Sequence, residues 1–488
     1  MNFFNKIRSA ATCRKTKNNA QQSEPVQKNK KNIWFFTIGL ISIVFICFIS
    51  SISAAHYSNF YPINGTYQNY NPVRRFLAGQ TPCKDFFDYL GLGHLYLGSI
   101  ATAILGGSYN DSLLAFQFLS SLSLALILFV ATASVLSKKH AVVLTNIILV
   151  LILIESPIME LISGHPDVQN SINTALNVGN SAVFVRGMIL PICMLFGLFV
   201  LKLPSYKRLK LNEINPLCRE LIIISLVAIM SGIAFTWSND YGISCWLCLN
   251  IMVLAISFCK DRNIIKSFLY FLGSVIVSAI TVFIVILILT SGNFTEWARL
   301  TFGTGNYQSW YYNSDGVKSY YIYDIDLSFF VVSQAVICLF YLIMLFKNRA
   351  SVHSIKRYGL LAFANMCSFC CVNEYKLLSG GMRREVAFTV LFATVIAETI
   401  AFIYSASKNQ SWHNHIKFVS ATLAFSMGFI FCVSTAKSEL AFSTYQKEGI
   451  YFEEVDGYIT SLSYDIYEAN EFIGEKRCFP PTLPQERF

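Results

Sequence analysis

Acid, base, aromatic and glycine crowd into one stretch of an otherwise apolar chain: Gly79-Gln80-Thr81-Pro82-Cys83-Lys84-Asp85-Phe86-Phe87-Asp88-Tyr89-Leu90-Gly91-Leu92-Gly93-His94. Polar groups concentrated beside a membrane segment usually have a task. Asp85 and Asp88 are carboxylates of the kind that take a proton from a hydroxyl. Arg74 and Arg75, just upstream, suit a phosphate, because a guanidinium presents paired donors in one plane. Thr81 can cap a helix, Pro82 suits its first position and Gly91 can stop it, so the spacing predicts a short helix from about Pro82 to Leu90. On that helix Asp85, Asp88 and Tyr89 share one face, and Phe86, Phe87 and Leu90 turn to lipid or the bundle. The competing explanation is that acids in a short helix answer only its dipole and water.

Other polar residues gather in the same kind of loop. They are Glu155, Glu160, His165 and Asp167; the turn Trp237-Ser238-Asn239-Asp240-Tyr241-Gly242; and Asn373-Glu374-Tyr375-Lys376 followed by Arg383-Arg384. Tyr89, His94, Asp240 and Glu374 are candidates to line a substrate cavity. Lys376, Arg383 and Arg384 join Arg74 and Arg75 as candidate phosphate ligands, with headgroup anchoring an equal account of Arg383-Arg384. A divalent cation is a candidate cofactor through His94, His165 and the acids, although no helical HxxxH or similar ligand spacing is present. With no phosphate-cradling glycine loop, dinucleotide fingerprint or nucleophile elbow, nucleotide-driven transport and soluble-cofactor chemistry lose support.

The elements that must hold these groups are membrane helices. The 488 residues are 54% hydrophobic and only 14% charged, far from the balance of a soluble domain. The net charge of +10 sits mainly between apolar runs, where it orients helices and meets anionic headgroups, and no nucleic-acid module is visible. Most of the 14 cysteines fall inside apolar runs and serve as small hydrophobes. Residues 1–32 read as a basic cytoplasmic tail. Runs of bilayer length follow at about 33–54, 111–137, 141–158, 183–203, 220–237, 243–259, 266–290, 327–346, 358–373, 386–406 and 416–435. Alternate loops are basic (Lys138-Lys139, Lys202 to Arg219, Lys260 to Lys266, Lys347 to Arg357, Lys408 and Lys417), as the positive-inside rule requires. This predicts an all-α integral membrane protein with about 11 transmembrane helices, residues 33–435 forming the membrane domain. The amino terminus is then inside, the first external loop spans 55–110, and a short tail, 436–488, lies outside. The segment 95–107 is too short to cross and reads as interfacial. Within the spans charge is nearly absent, Arg186 and Glu398 being the exceptions.

The pattern R-x-L-x-G-Q-x-P-x-x-D-F-x-x-Y-x-G-x-G from Arg75 to Gly93, together with the Ser-Asn-Asp-Tyr-Gly turn and the many spans, resembles the GT-C superfamily of polytopic glycosyltransferases. The topological likeness covers most of 33–435; the motif-level likeness is confined to the first loop and the turn. It implies transfer of a sugar, with inversion, from a polyprenyl-phosphate donor to a cell-envelope glycan or lipid acceptor on the outer face of a bacterial plasma membrane. Membrane lipids are then partners and nucleic acid is not. The resemblance makes Asp85 the match to the catalytic acid of the first external loop, with Asp88 second to it. Two departures stand: the acids are three apart instead of adjacent, and the tail is short. The competing readings are a lipid-linked sugar flippase or other transporter, and an O-polysaccharide polymerase or ligase.

Overall fold

The computed structural model describes residues 34–52, 65–88, 90–163, 182–203, 215–303, 325–374 and 381–406. Among these the regular secondary structure is helical, with one isolated bridge. In order come α1 (Trp34–Ile52), α2 (Gly65–Leu77), α3 (Leu92–Leu105), α4 (Tyr109–Val135), α5 (Lys138–Ser163), α6 (Val183–Gly187), α7 (Ile189–Val200), α8 (Pro216–Trp237), α9 (Tyr241–Asp261) and α10 (Ile264–Leu289). There follow α11 (residues 294–303), α12 (Ile325–Lys347), α13 (Leu360–Glu374), which is entered through a π-helical turn at Ile355–Gly359, and α14 (Gly381–Ala406). Of the two compact units into which the chain divides, Met1–Tyr404 contains all of these but the last two residues of α14.

Seven described segments are long and apolar enough to cross a membrane: α1, α4, the α6–α7 pair, α8, α9, α10 and Val386–Ile403 of α14. The fold is that of an all-α membrane protein. Helices also occupy the expected spans at 141–158, 327–346 and 358–373. The expected span at 416–435, the amino-terminal tail and the tail from 436 lie outside the described residues. The run 183–203, read as one span, is divided at Met188 into α6 and α7. The segment expected to be too short to cross is α3, 14 residues long.

Helix starts follow local chemistry. Ser108 and Asp111 form a reciprocal capping box on α4. Asn215 caps α8, which carries Pro216 in its first turn, and Asn263 caps α10 by accepting the Lys266 N–H at 3.0 Å. These side chains satisfy amide donors that a helix leaves unpaired. α4 is the most enclosed of the candidate spans, while α1 and α10 bury least. Its inner faces carry Ser120, Ser121, Ser123, Ala125, Ala131 and Ala133, small residues that let helix backbones approach where lipid supplies no hydrophobic drive.

Short connections make α8, α9 and α10 an antiparallel trio of mutually packed helices,. A polar clasp joins them. Asn250 Nδ2 donates to Ser231 Oγ at 2.9 Å, Ser274 Oγ donates to Asn250 Oδ1 at 2.6 Å, and Trp246 Nε1 donates to Ser278 Oγ at 3.0 Å. α9 packs on α13, and α13 on α12. Tyr341 of α12, Arg357 of the π turn and Glu398 of α14 meet in a buried cluster: Arg357 Nε donates to Glu398 Oε1 at 3.1 Å and Tyr341 Oη donates to the same atom at 3.2 Å. The Glu398 charge inside the span expected at 386–406 is therefore paired.

Candidate functional site

The helix expected over Pro82–Leu90 does not form. Residues 82–86 make a tight turn instead, with Pro82 and Phe86 in an isolated bridge and Cys83 at φ 63°. The Cys83 N–H donates to the Phe86 carbonyl at 2.7 Å. The reason lies in Asp85: its Oδ2 accepts the Thr81 N–H at 2.7 Å, and an aspartate that bonds nearby backbone competes with helix. Arg75, in the last turn of α2, fixes the same turn from outside. Its Nη2 donates to the Asp85 carbonyl at 2.6 Å, its Nε to Gln80 Oε1 at 2.6 Å, and its guanidinium lies over the Phe86 ring at 5.1 Å. Asp85 and Asp88 consequently share no helix face. Asp85 is exposed at the rim and Asp88 is buried. Phe86 and Leu90, placed by the sequence against lipid or the bundle, are buried.

Asp88 is the carboxylate that enters the protein. Its Oδ1 accepts the Leu90 N–H at 3.0 Å, and its Oδ2 lies 3.9 Å from His94 Nδ1. His94 is 1% exposed, its ring set against Phe116 of α4 with centroids 5.2 Å apart. Among the described residues neither His94 ring nitrogen has a hydrogen-bond partner, which is uncommon for a buried polar group.

The Ser-Asn-Asp-Tyr-Gly turn backs this pair. The Asn239 N–H donates to the Leu90 carbonyl at 3.2 Å. Gly91, at φ 127° and ψ 150°, passes so close that a Cβ there would stand 2.4 Å from Ser238 Cα and 2.5 Å from the Trp237 carbonyl oxygen. A Cβ at Gly93 would meet Trp237 at 2.7 Å. Trp237 Nε1 in turn donates to the Val185 carbonyl of α6 at 3.2 Å. Asp240 caps α9 by accepting the Tyr241 N–H at 2.7 Å and pairs with Arg186 of α6, both side chains buried. Three segments remote in sequence, 88–94, 182–187 and 237–241, thus close on one another.

Of the residues predicted from sequence, the structure brings Asp88, His94 and Asp240 into this knot and leaves Asp85 on its rim. Arg74 donates through Nε to Asn71 Oδ1 at 3.0 Å and is exposed, while Arg75 is occupied with the turn. Tyr89 and Lys376 lie outside the described residues. Glu374 ends α13, and Arg383 and Arg384 lie near the start of α14, with side-chain positions outside the described structure. For the candidate cation, the described residues contain no group of three His, Cys, Asp or Glu side chains placed to hold a metal ion. Two residues that are not among the expected site residues also take part. Arg186 was visible as a charge in an apolar run, which normally implies a partner. Glu296 of α11 is felt at the loop: burial, with Glu296 and Asp88 nearby, pushes the Cys83 thiol up to about 11.

Chemically, a buried carboxylate beside an imidazole can accept a proton from a hydroxyl brought to either group. The Arg186–Asp240 pair gives the turn behind them a fixed, charge-compensated footing. In comparisons with family models, with curated proteins and with solved structures, nothing matches this chain.

Proposed function

We propose that the protein is a GT-C-like inverting glycosyltransferase, which moves a sugar from a polyprenyl-phosphate donor to a glycan or lipid acceptor at the outer face of the plasma membrane. The observation that carries this reading is the contact between Leu90–Gly93 and Trp237–Asp240, since these are the two stretches on which the resemblance rests. Asp88, rather than Asp85, is the carboxylate that takes the acceptor proton, with His94 beside it. It is buried, and its Oδ2 faces a titratable partner, whereas Asp85 is spent on the Thr81 N–H. Arg74 at the end of α2, Arg383 and Arg384 near the start of α14, and Lys376 between α13 and α14 in sequence are the groups for the donor phosphate, while Arg75 holds the turn. The reading includes 11 spans, with the amino terminus cytoplasmic and the tail outside. Reporter fusions after Lys139 and after Leu440 are then expected on opposite sides.

The test is turnover by purified protein in nanodiscs with a defined polyprenyl-phosphate sugar. Asp88→Asn keeps shape and removes basicity, so turnover is expected to fall about 10²–10⁴-fold, the usual worth of a positioned base, with donor binding retained. Asp85→Asn is expected to cost much less. Full turnover in Asp88→Asn would overturn the assignment, and no transfer to any lipid or glycan acceptor by the wild type would overturn the activity. The flippase reading draws on the buried pairs Arg186–Asp240 and Arg357–Glu398, because intramembrane charge marks transport paths. It is separated from transfer by release of the carrier phosphate, which only the transferase produces.

A further inference from the structure

At the end of α8 and α9 remote from Trp237 and Tyr241, a cavity of about 160 Å³ lies between α7, α8, α9 and the π turn leading into α13. Leu201, Ile223, Val227, Met252, Ile256 and Ile355 line it, and Ser257 is the one hydroxyl among its walls. A cavity of this size and lining suits hydrocarbon better than water. The residues next in chain to two of its walls are Lys202 and Lys356, and the Lys202 charge acts on Lys138 at the start of α5. Lys138 and Lys202 are exposed and Lys356 is half-buried.

Lys202 and Lys356 therefore flank an apolar cavity, with Lys138 close enough to feel the Lys202 charge, and among the described residues no carboxylate pairs with any of the three. Nearby lysines are treated differently. Lys260 pairs with Glu220 of α8, and Lys266 with Glu220 and Asp261. Lys138 does lie over the Phe36 ring at 5.8 Å, but an aromatic face does not neutralise it. The crowding is felt electrostatically. Lys202 draws Lys138 below the ordinary lysine range, and burial together with Lys202 does the same to Lys356. An anion placed among the three would reverse that unfavourable arrangement, and a phosphate has acceptor oxygens enough for several lysines.

We propose that this end of the bundle holds one anionic phospholipid, a short length of one hydrocarbon chain in the cavity and its phosphate on Lys138, Lys202 and Lys356. The site is distinct from the Asp88–His94 knot at the other end of α8, and it does not depend on the glycosyltransferase reading.

The experiment is native mass spectrometry of full-length protein, delipidated in detergent and titrated with dioleoyl phosphatidylglycerol, dioleoyl phosphatidylcholine or inorganic phosphate. One phosphatidylglycerol is expected to be retained per chain, well ahead of phosphatidylcholine. A lysine near an anionic headgroup contributes about fivefold in affinity, so the triple variant Lys138→Gln/Lys202→Gln/Lys356→Gln is expected to lose about a hundredfold. Lys260→Gln is expected to change nothing. Val227→Trp, which fills the cavity, is expected to weaken retention of the lipid with all three lysines intact; its thermal midpoint without lipid reports that it folds. Equal retention of the two lipids, or full retention by the triple variant, would overturn the proposal. So would displacement of phosphatidylglycerol by equimolar inorganic phosphate, which would make the site one for a free anion.

Discussion

Substituting Gly91 and Gly79 separately by alanine isolates the contact on which the candidate site depends. Both glycines have positive φ, 81° at Gly79 and 127° at Gly91. Around Gly79 an added Cβ meets nothing within 4 Å, so Gly79→Ala carries only the backbone cost of a left-handed alanine, about 1–2 kcal/mol. At Gly91 the backbone lies in a region that essentially only glycine visits, worth about 1–3 kcal/mol. The new methyl also collides with backbone, Ser238 Cα at 2.4 Å and the Trp237 oxygen at 2.5 Å, which no rotamer change relieves. Overpacking of this kind adds about 1–3 kcal/mol, for a total of roughly 2–6 kcal/mol. Thermal unfolding of each variant in the same detergent, followed by tryptophan fluorescence, is expected to show a fall in midpoint at least twice as large for Gly91→Ala. Equal shifts for the two variants would refute the idea that the first loop is seated on the Trp237–Asp240 turn.

The Arg186–Asp240 pair gives a second test. Arg186→Met leaves a buried carboxylate without its cation and is expected to cost about 3–5 kcal/mol. Asparagine is a good N-cap and carries no charge, so Arg186→Met/Asp240→Asn is expected to unfold at a higher temperature than Arg186→Met alone, as measured by the same melts. The Cys83 thiol, held up to about 11 by its burial, stays protonated through neutral pH. In a variant retaining Cys83 as the sole reactive thiol, the maleimide rate is expected to rise about tenfold per pH unit from 7 to 9.5 without a plateau, because the thiolate is the nucleophile. A rate that bends over at about pH 8.5 and levels off by about pH 9.5 would show an ordinary, exposed thiol.

The membrane helices were legible because a bilayer imposes a length and an apolar content that twenty-residue windows reveal. Their starts were legible where the cap is adjacent in sequence, as with Asn215 before Pro216. The turn at Pro82–Phe86 was not. Thr81, Pro82 and Gly91 gave local helix signals, but Asp85 closes on the Thr81 N–H and Arg75 reaches across ten residues to hold the result. Competition between a side chain and a helix is settled by such neighbours, which periodicity does not register. The stretch carrying the site was readable from its polar composition, and the ranking of its two acids was not, since burial depends on what α4, α6 and the Trp237 turn bring to it. Arg186 and Asp240 are separated by 54 positions. Arg186 reads as a lone charge in an apolar run and Asp240 as a loop residue lining a cavity, and only the close approach of α6 to the α8–α9 turn makes them partners.

The hydrogen bond between Asn239 and Leu90 also has a timing. Asn239 leaves the ribosome 149 residues after Leu90, roughly 7–30 s later at about 5–20 residues per second. The trio α8–α9–α10 forms from neighbours in sequence and can pack as it emerges, whereas the first loop waits for it. Through that interval Asp88 and His94 stand without the wall that Trp237 and Ser238 later supply. A nascent chain halted between α4 and α8 would carry every residue of the first loop and still lack the assembled site.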